Sequence, residues 1–342
     1  MARVVRAEPR APATPAGAQT FSAADAAREV SLAEPRIRPH IRETPLEPSA
    51  WLSRELGAEV YLKLESAQVT GSFKARGALN KLLALGEADR ARGVVAASTG
   101  NHALAVAHAL AQLGMDGEIF LPSSVSPAKL EALQLRKARV RLIDEDPGLV
   151  ETIARREAEA SGRVYVSPYN DPQVIGGQGT IAVELLRQLP QVSAVVVPVG
   201  GGGLISGIAS FLKRRQPAIR VIGCQPAACA IMARSVEEGR LLELASGPSL
   251  SDATVGLLEP GAITFPLCRE LVDEWVVVDE PAIRSGLRLA LERHFVLIEG
   301  ASALPVAALL AVRERFRGAQ VALVLSGSHL ALPALAEMLR EA

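Results

Sequence analysis

The sequence lacks an excess of charge of either sign, and it also lacks a long apolar run. Its 342 residues carry 37 lysines and arginines against 37 aspartates and glutamates. This balance gives no reason to expect a nucleic acid or an anionic membrane surface as a partner. No apolar stretch reaches the length that a bilayer requires, so we expect no membrane-spanning segment.

Cysteine is scarce and histidine is scattered. The three cysteines, Cys224, Cys229 and Cys268, form no Cys-x-x-Cys pair, and none of the five histidines lies at ligand spacing from a cysteine. A zinc site is therefore not expected. The odd number of cysteines fits reduced thiols within a core, which is typical of a cytoplasmic protein.

What the sequence does contain is a repeated alternation of short apolar runs with amphipathic ones. This order predicts an α/β fold with mostly parallel sheets flanked by helices. We predict strands over residues 60–64, 94–97, 118–121, 140–143, 164–166, 194–199, 221–224 and 321–325. We predict helices over residues 103–113, 127–136, 180–189, 205–214, 282–293, 304–315 and 330–339.

Two segments depart from this alternation. Residues 1–30 are interpreted as a disordered tail, because the first 20 residues are rich in alanine, proline and arginine and show no periodicity. The prolines there also argue against a signal peptide. Residues 246–266 are rich in glycine and proline. We expect them to form an irregular loop near a site.

The most informative motif is Gly71-Ser72-Phe73-Lys74-Ala75-Arg76-Gly77, which follows the predicted strand 60–64. It places Lys74 at the start of a helix, where the helix dipole and partial burial should lower the pKa of the ammonium group. A lysine that is neutral for part of the time can attack a carbonyl and form an imine. The alternative is a surface lysine on an amphipathic helix.

Two further motifs lie between a predicted strand and a predicted helix. Ser98-Thr99-Gly100-Asn101-His102 offers backbone N–H groups and hydroxyls to a carboxylate or phosphate, although plain helix capping by Ser98 or Thr99 is the alternative. The four glycines Gly200 to Gly203 expose backbone amides that suit a phosphate. A dinucleotide site is disfavoured, because no Gly-x-Gly-x-x-Gly frame fits and the next strand ends at Cys224-Gln225 without a carboxylate.

A fourth motif, Ser326-Gly327-Ser328-His329, follows the predicted strand 321–325. A hydroxyl at the carboxyl end of a strand points into the crevice where α/β folds bind ligands. Taken alone this signal is weak, and a lone histidine such as His329 is more often a hydrogen-bonded structural residue.

In their order and separation, the four motifs resemble the fold-type II pyridoxal-phosphate enzymes, in particular the threonine/serine dehydratase and serine racemase group. The resemblance extends from about Ile37 to the C-terminus. It implies that pyridoxal 5'-phosphate is the cofactor. Lys74 would bind it covalently and act as acid and base at the substrate Cα, Phe73 would lie beside its ring, and Asn101 would hydrogen-bond its 3-oxygen. Ser326 would face the pyridine nitrogen.

The resemblance also assigns the remaining site residues. Glu299 would lie near the ring. The phosphate would be held by the backbone amides of five consecutive residues, Gly200, Gly201, Gly202, Gly203 and Leu204. The carboxylate of an amino acid substrate would be held by Ser98, Thr99 and His102.

The implied reaction follows from Ser326. A serine hydroxyl is too weak an acid to protonate a pyridine nitrogen, so the ring is a poorer electron sink. Prompt loss of a β-hydroxyl group then competes best, which predicts a lyase that converts a 3-hydroxy amino acid such as L-threonine or L-serine to a 2-keto acid and ammonia. An amino acid racemase is the alternative. It is less favoured because Thr99 stands where the racemases carry a serine.

Other departures from the family pattern suggest a more specialised substrate. Ser328 and His329 replace the usual Gly-Asn, and the segment from Glu299 to Ser302 lacks the usual proline. A dehydratase of a hydroxyaspartate, a phenylserine or a hydroxyectoine-derived compound is therefore a further alternative. Gln225 and Ile231 replace the two carboxylates of the family's divalent-metal segment, so we expect no Mg²⁺ or Ca²⁺.

The resemblance also predicts the domain layout and the assembly. A small substrate-side domain over residues 92–166 would be inserted into a large cofactor-binding domain made of residues 31–91 and 167–342. A homodimer is usual in the family. No C-terminal regulatory domain is expected, which would fit an enzyme without isoleucine feedback. A nucleotide-binding oxidoreductase and a cofactor-binding protein without turnover remain as rival interpretations.

Overall fold

Two sheets of mainly parallel strands, both covered by helices, form the framework of the molecule. In this computed structural model the described residues are 3–6, 21–145 and 147–340. The strands within them are β1 (Arg3–Arg6), β2 (Leu46–Pro48), β3 (Glu59–Leu64), β4 (Val94–Ala97), β5 (Gly117–Pro122), β6 (Arg139–Ile143), β7 (Val164–Tyr165), β8 (Ala194–Pro198), β9 (Arg220–Pro226), β10 (Glu274–Val278) and β11 (Gln320–Leu325).

The helices cover both faces of the sheets, and several begin at a residue predicted to lie in the site. They are α1 (Ala23–Ile37), α2 (Ala50–Leu56), α3 (Lys74–Ala84), α4 (Glu87–Arg92), α5 (Asn101–Leu113), α6 (Pro127–Gln134), α7 (Pro147–Ser161), α8 (Pro172–Gln188), α9 (Gly203–Arg215), α10 (Ile231–Glu238), α11 (Thr264–Leu271), α12 (Glu280–His294), α13 (Gly300–Ala311) and α14 (Leu332–Arg340). None of the helices in the described ranges is long and apolar enough to cross a bilayer.

The larger sheet has seven strands in the order β1-β10-β9-β8-β11-β3-β2, and the smaller has four in the order β6-β5-β4-β7. All pairs are parallel except the two edge pairs of the larger sheet, β1 with β10 and β2 with β3. The predicted fold class is therefore confirmed. The division of the chain into two domains stays a prediction, although the four strands of the smaller sheet all lie between residues 94 and 165.

Strand β8 shows why the larger sheet is buried on both faces. Val195 and Val197 pack into one hydrophobic core, while Ala194 and Val196 pack into another on the opposite face. Successive side chains of a strand point to opposite faces, so a continuous apolar run fits a strand that is covered by helices on both sides. The uninterrupted apolar run over residues 194–197 is typical of such a strand.

The prediction that residues 1–30 are a disordered tail is partly wrong. Ser22 caps helix α1, its hydroxyl accepting a hydrogen bond from the backbone N–H of Asp25, and α1 buries Ala26, Ala27 and Val30. Residues 23–30 are therefore helical because one face of this segment has a core to pack against. Residues 3–6 form edge strand β1. The rest of the predicted tail up to Thr20 lies outside the described residues.

The predicted start of helix 180–189 is also wrong, because α8 begins at Pro172. Gly176, Gly177 and Gly179 argued against a helix there, since glycine is a poor helix former. In the fold they allow close packing between helices. A Cβ atom on Gly177 would lie 2.5 Å from the backbone oxygen of Arg76 in α3, for example. Tertiary packing therefore outweighs the intrinsic helix propensity of these glycines.

A buried network of charged side chains ties helix α3 to strand β3 and helix α8. Arg76 lies 2.8 Å from carboxylate oxygens of both Glu65 and Glu184, and Lys63 lies 2.6 Å from Glu184. The side chains of all four residues are fully buried. Since Lys74 is the first residue of α3, this network fixes the helix that presents Lys74.

We expect Glu184→Gln to lower the free energy of unfolding by about 3–5 kcal/mol, because it leaves buried Lys63 without its carboxylate and removes one of the two carboxylates of buried Arg76. Burial raises the pKa of Glu184, but Arg76 and Lys63 outweigh burial and lower it to about 2. The stabilisation is thus complete above the ordinary value of 4.5 and is lost as the pH falls toward 2. Urea titrations at pH 7 and at lower pH measure both effects.

Glu314→Gln is the matched control, because this carboxylate is 72 % exposed while paired with Arg317. We expect this substitution to change the free energy of unfolding by less than about 1 kcal/mol. An equally small change for Glu184→Gln would show that the buried network does not hold the fold together.

Candidate active site

A cavity of about 930 Å³ lies where the loops from the carboxyl ends of both sheets meet. The loops that follow β4, β8 and β11 all contribute to it. Parallel α/β sheets bind their ligands at this edge. Every residue that the sequence predicted for the site lines this cavity: Phe73, Lys74, Ser98, Thr99, Asn101, His102, Gly200, Gly201, Gly202, Gly203, Leu204, Glu299 and Ser326.

Lys74 begins helix α3 and directs its amine into this cavity. Its Nζ donates a hydrogen bond to the backbone oxygen of Pro168 at 2.7 Å and lies 5.2 Å from the centre of the Phe73 ring. Burial lowers the pKa of Lys74 to about 8, although the carboxylates of Glu299 and Glu151 oppose the shift. At a pKa of about 8, roughly a tenth of this amine is neutral at pH 7, far more than for an ordinary lysine, and the neutral form is the nucleophile.

The four glycines form the loop between β8 and helix α9. Gly202 adopts a positive φ of +89°, and helix α9 begins at Gly203 without a capping side chain. A Cβ atom on Gly201 would lie 2.4 Å from the ring of Tyr169. The backbone amides at the start of α9 are thus open to the cavity, at a helix terminus that favours anions.

Asn101 and Glu299 are in direct contact in one wall of the cavity. The Asn101 amide nitrogen donates to both carboxylate oxygens of Glu299, at 3.0 and 2.9 Å. Burial raises the pKa of Glu299, and the hydrogen bond from Asn101 opposes that shift. The Ser326 hydroxyl lies 3.5 Å from Glu299 Oε1 and 3.3 Å from the hydroxyl of Ser302. A serine, an asparagine and a largely desolvated carboxyl group thus share one wall.

The loop from Ser98 to His102 leads from β4 into helix α5, and its hydroxyls are not used as plain helix caps. The N-cap residue is Gly100, and α5 receives no side-chain capping hydrogen bond. Ser98 instead accepts a hydrogen bond from the backbone N–H of Gly100 at 3.1 Å. The backbone amides at the start of α5 consequently remain available to a ligand.

His102 is held as a neutral ring. Its Nε2 donates to the backbone oxygen of Val166 at 2.9 Å. Burial, followed by the nearby charge of Lys74, lowers the pKa of His102 to about 3. His102 can therefore offer a substrate hydrogen-bonding groups or shape, but not a positive charge.

Two residues of the site were not predicted from the sequence. His329 lines the cavity, and its Nδ1 makes a short hydrogen bond with Asn101 Oδ1. Tyr169 packs its ring over Gly201, and its hydroxyl accepts a hydrogen bond from the backbone N–H of Glu259 at 2.8 Å. The unusual Ser328-His329 pair was the only sequence signal for either residue. Tyr169 gave none.

The loop predicted near the site is confirmed. Residues 252–260 line the cavity, and apart from a short 3₁₀ turn over Asp252–Thr254 the predicted segment is irregular up to the start of α11 at Thr264. The last three residues of the predicted loop therefore belong to this helix.

Gln225 occupies the place predicted to lack a metal ligand. Its side chain is 1 % exposed, its amide nitrogen donates to the backbone oxygen of Val199 at 3.2 Å, and its amide oxygen accepts from Ala233 N at 2.7 Å. Within the described ranges, no three His, Cys, Asp or Glu side chains form a group that could hold a metal ion. The absence of Mg²⁺ and Ca²⁺ stays a prediction.

The arrangement fits a small cofactor that carries an aldehyde and a phosphate. The glycine loop offers amides at a helix N-terminus, and the Tyr169 ring packed against Gly201 leaves no room for a side chain there. Lys74 offers a buried amine of lowered pKa in the same cavity. A dinucleotide would not explain the lysine, whereas pyridoxal 5'-phosphate accounts for both features.

Comparison with known proteins agrees with this geometry. The L-threonine ammonia-lyase of Geobacter sulfurreducens is 39 % identical over 298 residues, which cover 87 % of this chain and 74 % of that protein. The catabolic L-threonine dehydratase of Escherichia coli is 37 % identical over 323 residues, or 93 % and 97 % of the two chains. Maize serine racemase superposes with a TM-score of 0.87 at 31 % identity, covering 94 % and 98 % of the two chains.

A family model that covers most of the chain identifies the family. The family model described as pyridoxal-phosphate dependent enzyme matches residues 37–327. This range contains Lys74, the glycine loop and Ser326, the residues on which the resemblance was based. The chain belongs to the pyridoxal-phosphate-dependent enzyme family.

Proposed function

We propose that this chain is a lyase that uses pyridoxal 5'-phosphate to eliminate water from a 3-hydroxy amino acid such as L-threonine or L-serine, with a 2-keto acid and ammonia as products. The observation that carries the proposal is that Lys74, the glycine loop and the hydroxyl of Ser326 line one cavity. Two of the relatives described above, from Geobacter sulfurreducens and Escherichia coli, are named L-threonine ammonia-lyase and L-threonine dehydratase.

The residues that would hold the cofactor have distinct tasks. The amides of Gly200 to Leu204 would bind its phosphate at the N-terminus of α9, where the helix dipole favours an anion. Phe73 would pack beside its ring, and Lys74 would bind it covalently. Asn101 would donate a hydrogen bond from its amide nitrogen to the 3-oxygen of the ring. This nitrogen faces the two carboxylate oxygens of Glu299.

When bound, the cofactor withdraws electrons from the α-carbon of an attached amino acid and so makes its proton removable. Lys74 is suited to move that proton, because a pKa of about 8 allows Nζ both to accept and to return a proton near neutral pH. Its helix is fixed by the buried contacts of Arg76 with Glu65 and Glu184. The amine therefore has a defined position.

Ser326 would favour elimination over slower outcomes. Its hydroxyl is 1 % exposed and is a far weaker acid than the carboxyl group that would stabilise a protonated pyridine nitrogen. Because the ring would take up little charge, prompt loss of the β-hydroxyl group as water, with a proton that Lys74 could return, would be favoured over slower reactions at Cα. The start of α5, with Ser98, Thr99 and His102, would bind the substrate carboxylate.

The proposed function is tested by a keto-acid release assay on the purified enzyme with the cofactor. Separate reactions contain each stereoisomer of serine, threonine, 3-hydroxyaspartate and phenylserine. We expect stoichiometric keto acid and ammonia from at least one L-3-hydroxy amino acid. Preference for 3-hydroxyaspartate or phenylserine would assign the more specialised activity. No keto acid from any of these compounds would contradict the proposal.

An amino acid racemase is a second candidate, because maize serine racemase has the same fold at 31 % identity. Thr99 lines the cavity, and by the family resemblance it stands where the racemases carry a serine as the base on the second face of the substrate. Its methyl group would crowd that face and so disfavour protonation from that side. Chiral analysis of the recovered amino acid separates the two activities, since a racemase accumulates the opposite enantiomer.

We also propose that the protein is a cytoplasmic homodimer, with residues 92–166 as a separate small domain. All three cysteines are free and buried, which supports a reducing compartment. The family resemblance supports the dimer and the domain division. Size-exclusion chromatography with light scattering tests the assembly.

A further inference from the structure

Glu299, Asn101 and His329 form a chain of hydrogen bonds along one wall of the cavity. The Asn101 amide nitrogen donates to Glu299, and the Asn101 amide oxygen contacts His329 Nδ1. The backbone N–H of His329 donates to Glu299 Oε2 at 3.3 Å. The three residues thus close a ring of contacts between α5, the start of α13 and the loop after β11.

The chemistry of these groups fixes which atom donates and which accepts in each of these hydrogen bonds. An ionised carboxylate only accepts hydrogen bonds, so the amide nitrogen of Asn101 must face Glu299 and the amide oxygen must face the histidine. An amide oxygen also only accepts, so Nδ1 of His329 must carry the proton. The hydrogen bond of the imidazole ring within the described part of the chain is made by Nδ1.

Three further contacts hold His329 in this position. The backbone N–H of Ser328 donates to the backbone oxygen of Gly71 at 3.0 Å, and Ser72 pairs with Gly327 in an isolated β-bridge. The imidazole ring also packs against Gly71, because a Cβ atom there would lie 3.0 Å from His329 Cε1. The loop that carries His329 is therefore tied to the segment that leads into Lys74.

We propose that His329 is a positioning residue for Asn101: its Nδ1–H group holds the amide oxygen so that the amide nitrogen stays a donor toward the cavity. Without this contact only the carboxylate of Glu299 orients the carboxamide, so the position of the amide group is less well fixed. This inference rests on the proposed function only where it concerns the cofactor, whose 3-oxygen would receive the hydrogen bond from Asn101. The orientation of the amide itself is a property of the chain.

Three substitutions at this position separate the roles of the two ring nitrogens. His329→Asn keeps a donor nitrogen as many bonds from Cα as Nδ1, and His329→Gln places its amide nitrogen near the position of Nε2. His329→Leu removes both. Thermal unfolding of each variant identifies any that fail to fold, and the variants are compared as holoenzymes.

We expect His329→Leu and His329→Gln to bind pyridoxal 5'-phosphate about tenfold more weakly, which corresponds to the loss of one hydrogen bond. Their visible absorption band should shift, and kcat should fall more than KM changes. His329→Asn should stay within about threefold of the wild type in all three measurements. Retention by His329→Gln with loss in His329→Asn would overturn the proposal, and so would unchanged binding and spectra in His329→Leu.

A measurement without the cofactor keeps this inference separate from the proposed function. Nitrogen NMR of ¹⁵N-histidine-labelled apoprotein, assigned with the His329→Asn variant, reports which ring nitrogen carries the proton. We expect protonated Nδ1 and bare Nε2 at neutral pH. The opposite tautomer would overturn the inference even if the enzyme proved to be an active lyase. A failure of every amino acid substrate would instead count against the proposed function alone.

Discussion

Replacing Lys74 with alanine is expected to lower kcat by at least about 10³-fold and to remove the visible absorption band of the holoenzyme. Lys74 is proposed both to bind the cofactor covalently and to move the Cα proton, and a positioned acid–base group alone contributes about 10²–10⁴-fold. Its Nζ is buried and its pKa is lowered to about 8. Steady-state keto-acid release and absorption spectra measure the two effects.

Lys81→Ala is the matched control, because Lys81 lies on the same helix and its amine pairs with Asp171 at 2.6 Å, away from the cavity lining. This variant should keep its absorption band and most of its turnover. A Lys74→Ala enzyme that retains full turnover would contradict the proposed mechanism. Loss of the band in both variants would point to a general loss of structure.

The second large effect is expected at the glycine loop. Gly201→Ala should weaken the binding of pyridoxal 5'-phosphate by about 10- to 100-fold, because the new Cβ atom would lie 2.4 Å from the ring of Tyr169. The ring or the loop must move, and such overpacking costs about 1–3 kcal/mol. Equilibrium dialysis or titration of the absorption band gives the dissociation constant.

Two comparisons make this prediction specific. Gly86→Ala is the control, because a Cβ atom there would meet no other atom within 4 Å. In the background of Tyr169→Ala, the effect of Gly201→Ala should be smaller, since the clashing ring is absent and contacting residues are not additive. Equal effects of Gly201→Ala in both backgrounds would show that the ring of Tyr169 does not shape the phosphate cradle.

The parts of the molecule that local sequence determines were predictable. Strand β8 and the glycines after it form one short continuous signal. It is an apolar run followed by four glycines, the residue that lets a backbone loop approach a ligand most closely. Lys74 follows a strand and opens a helix within one motif. Their meeting in one cavity follows from the rule that parallel strands share a carboxyl edge.

The parts that depend on distant contacts were not predictable in the same way. The first half of helix α8 carries three glycines, and only its packing on α3 and other helices explains why it is helical. His329 lies 228 residues from Asn101 in the sequence, and Tyr169 reaches Glu259 across 90 residues. No local sequence pattern indicates contacts between residues so far apart. The parts that His329 and Tyr169 play in the site therefore emerged only from the fold.

The most direct test of covalent binding of the cofactor by Lys74 is reductive trapping of the wild-type protein. The purified protein is incubated with pyridoxal 5'-phosphate, treated with borohydride, digested and analysed by mass spectrometry. We expect a visible absorption band that borohydride abolishes, together with a phosphopyridoxyl group on the peptide that contains Lys74. A protein that stays colourless with the cofactor, or a label on any other lysine, would contradict the covalent role of Lys74.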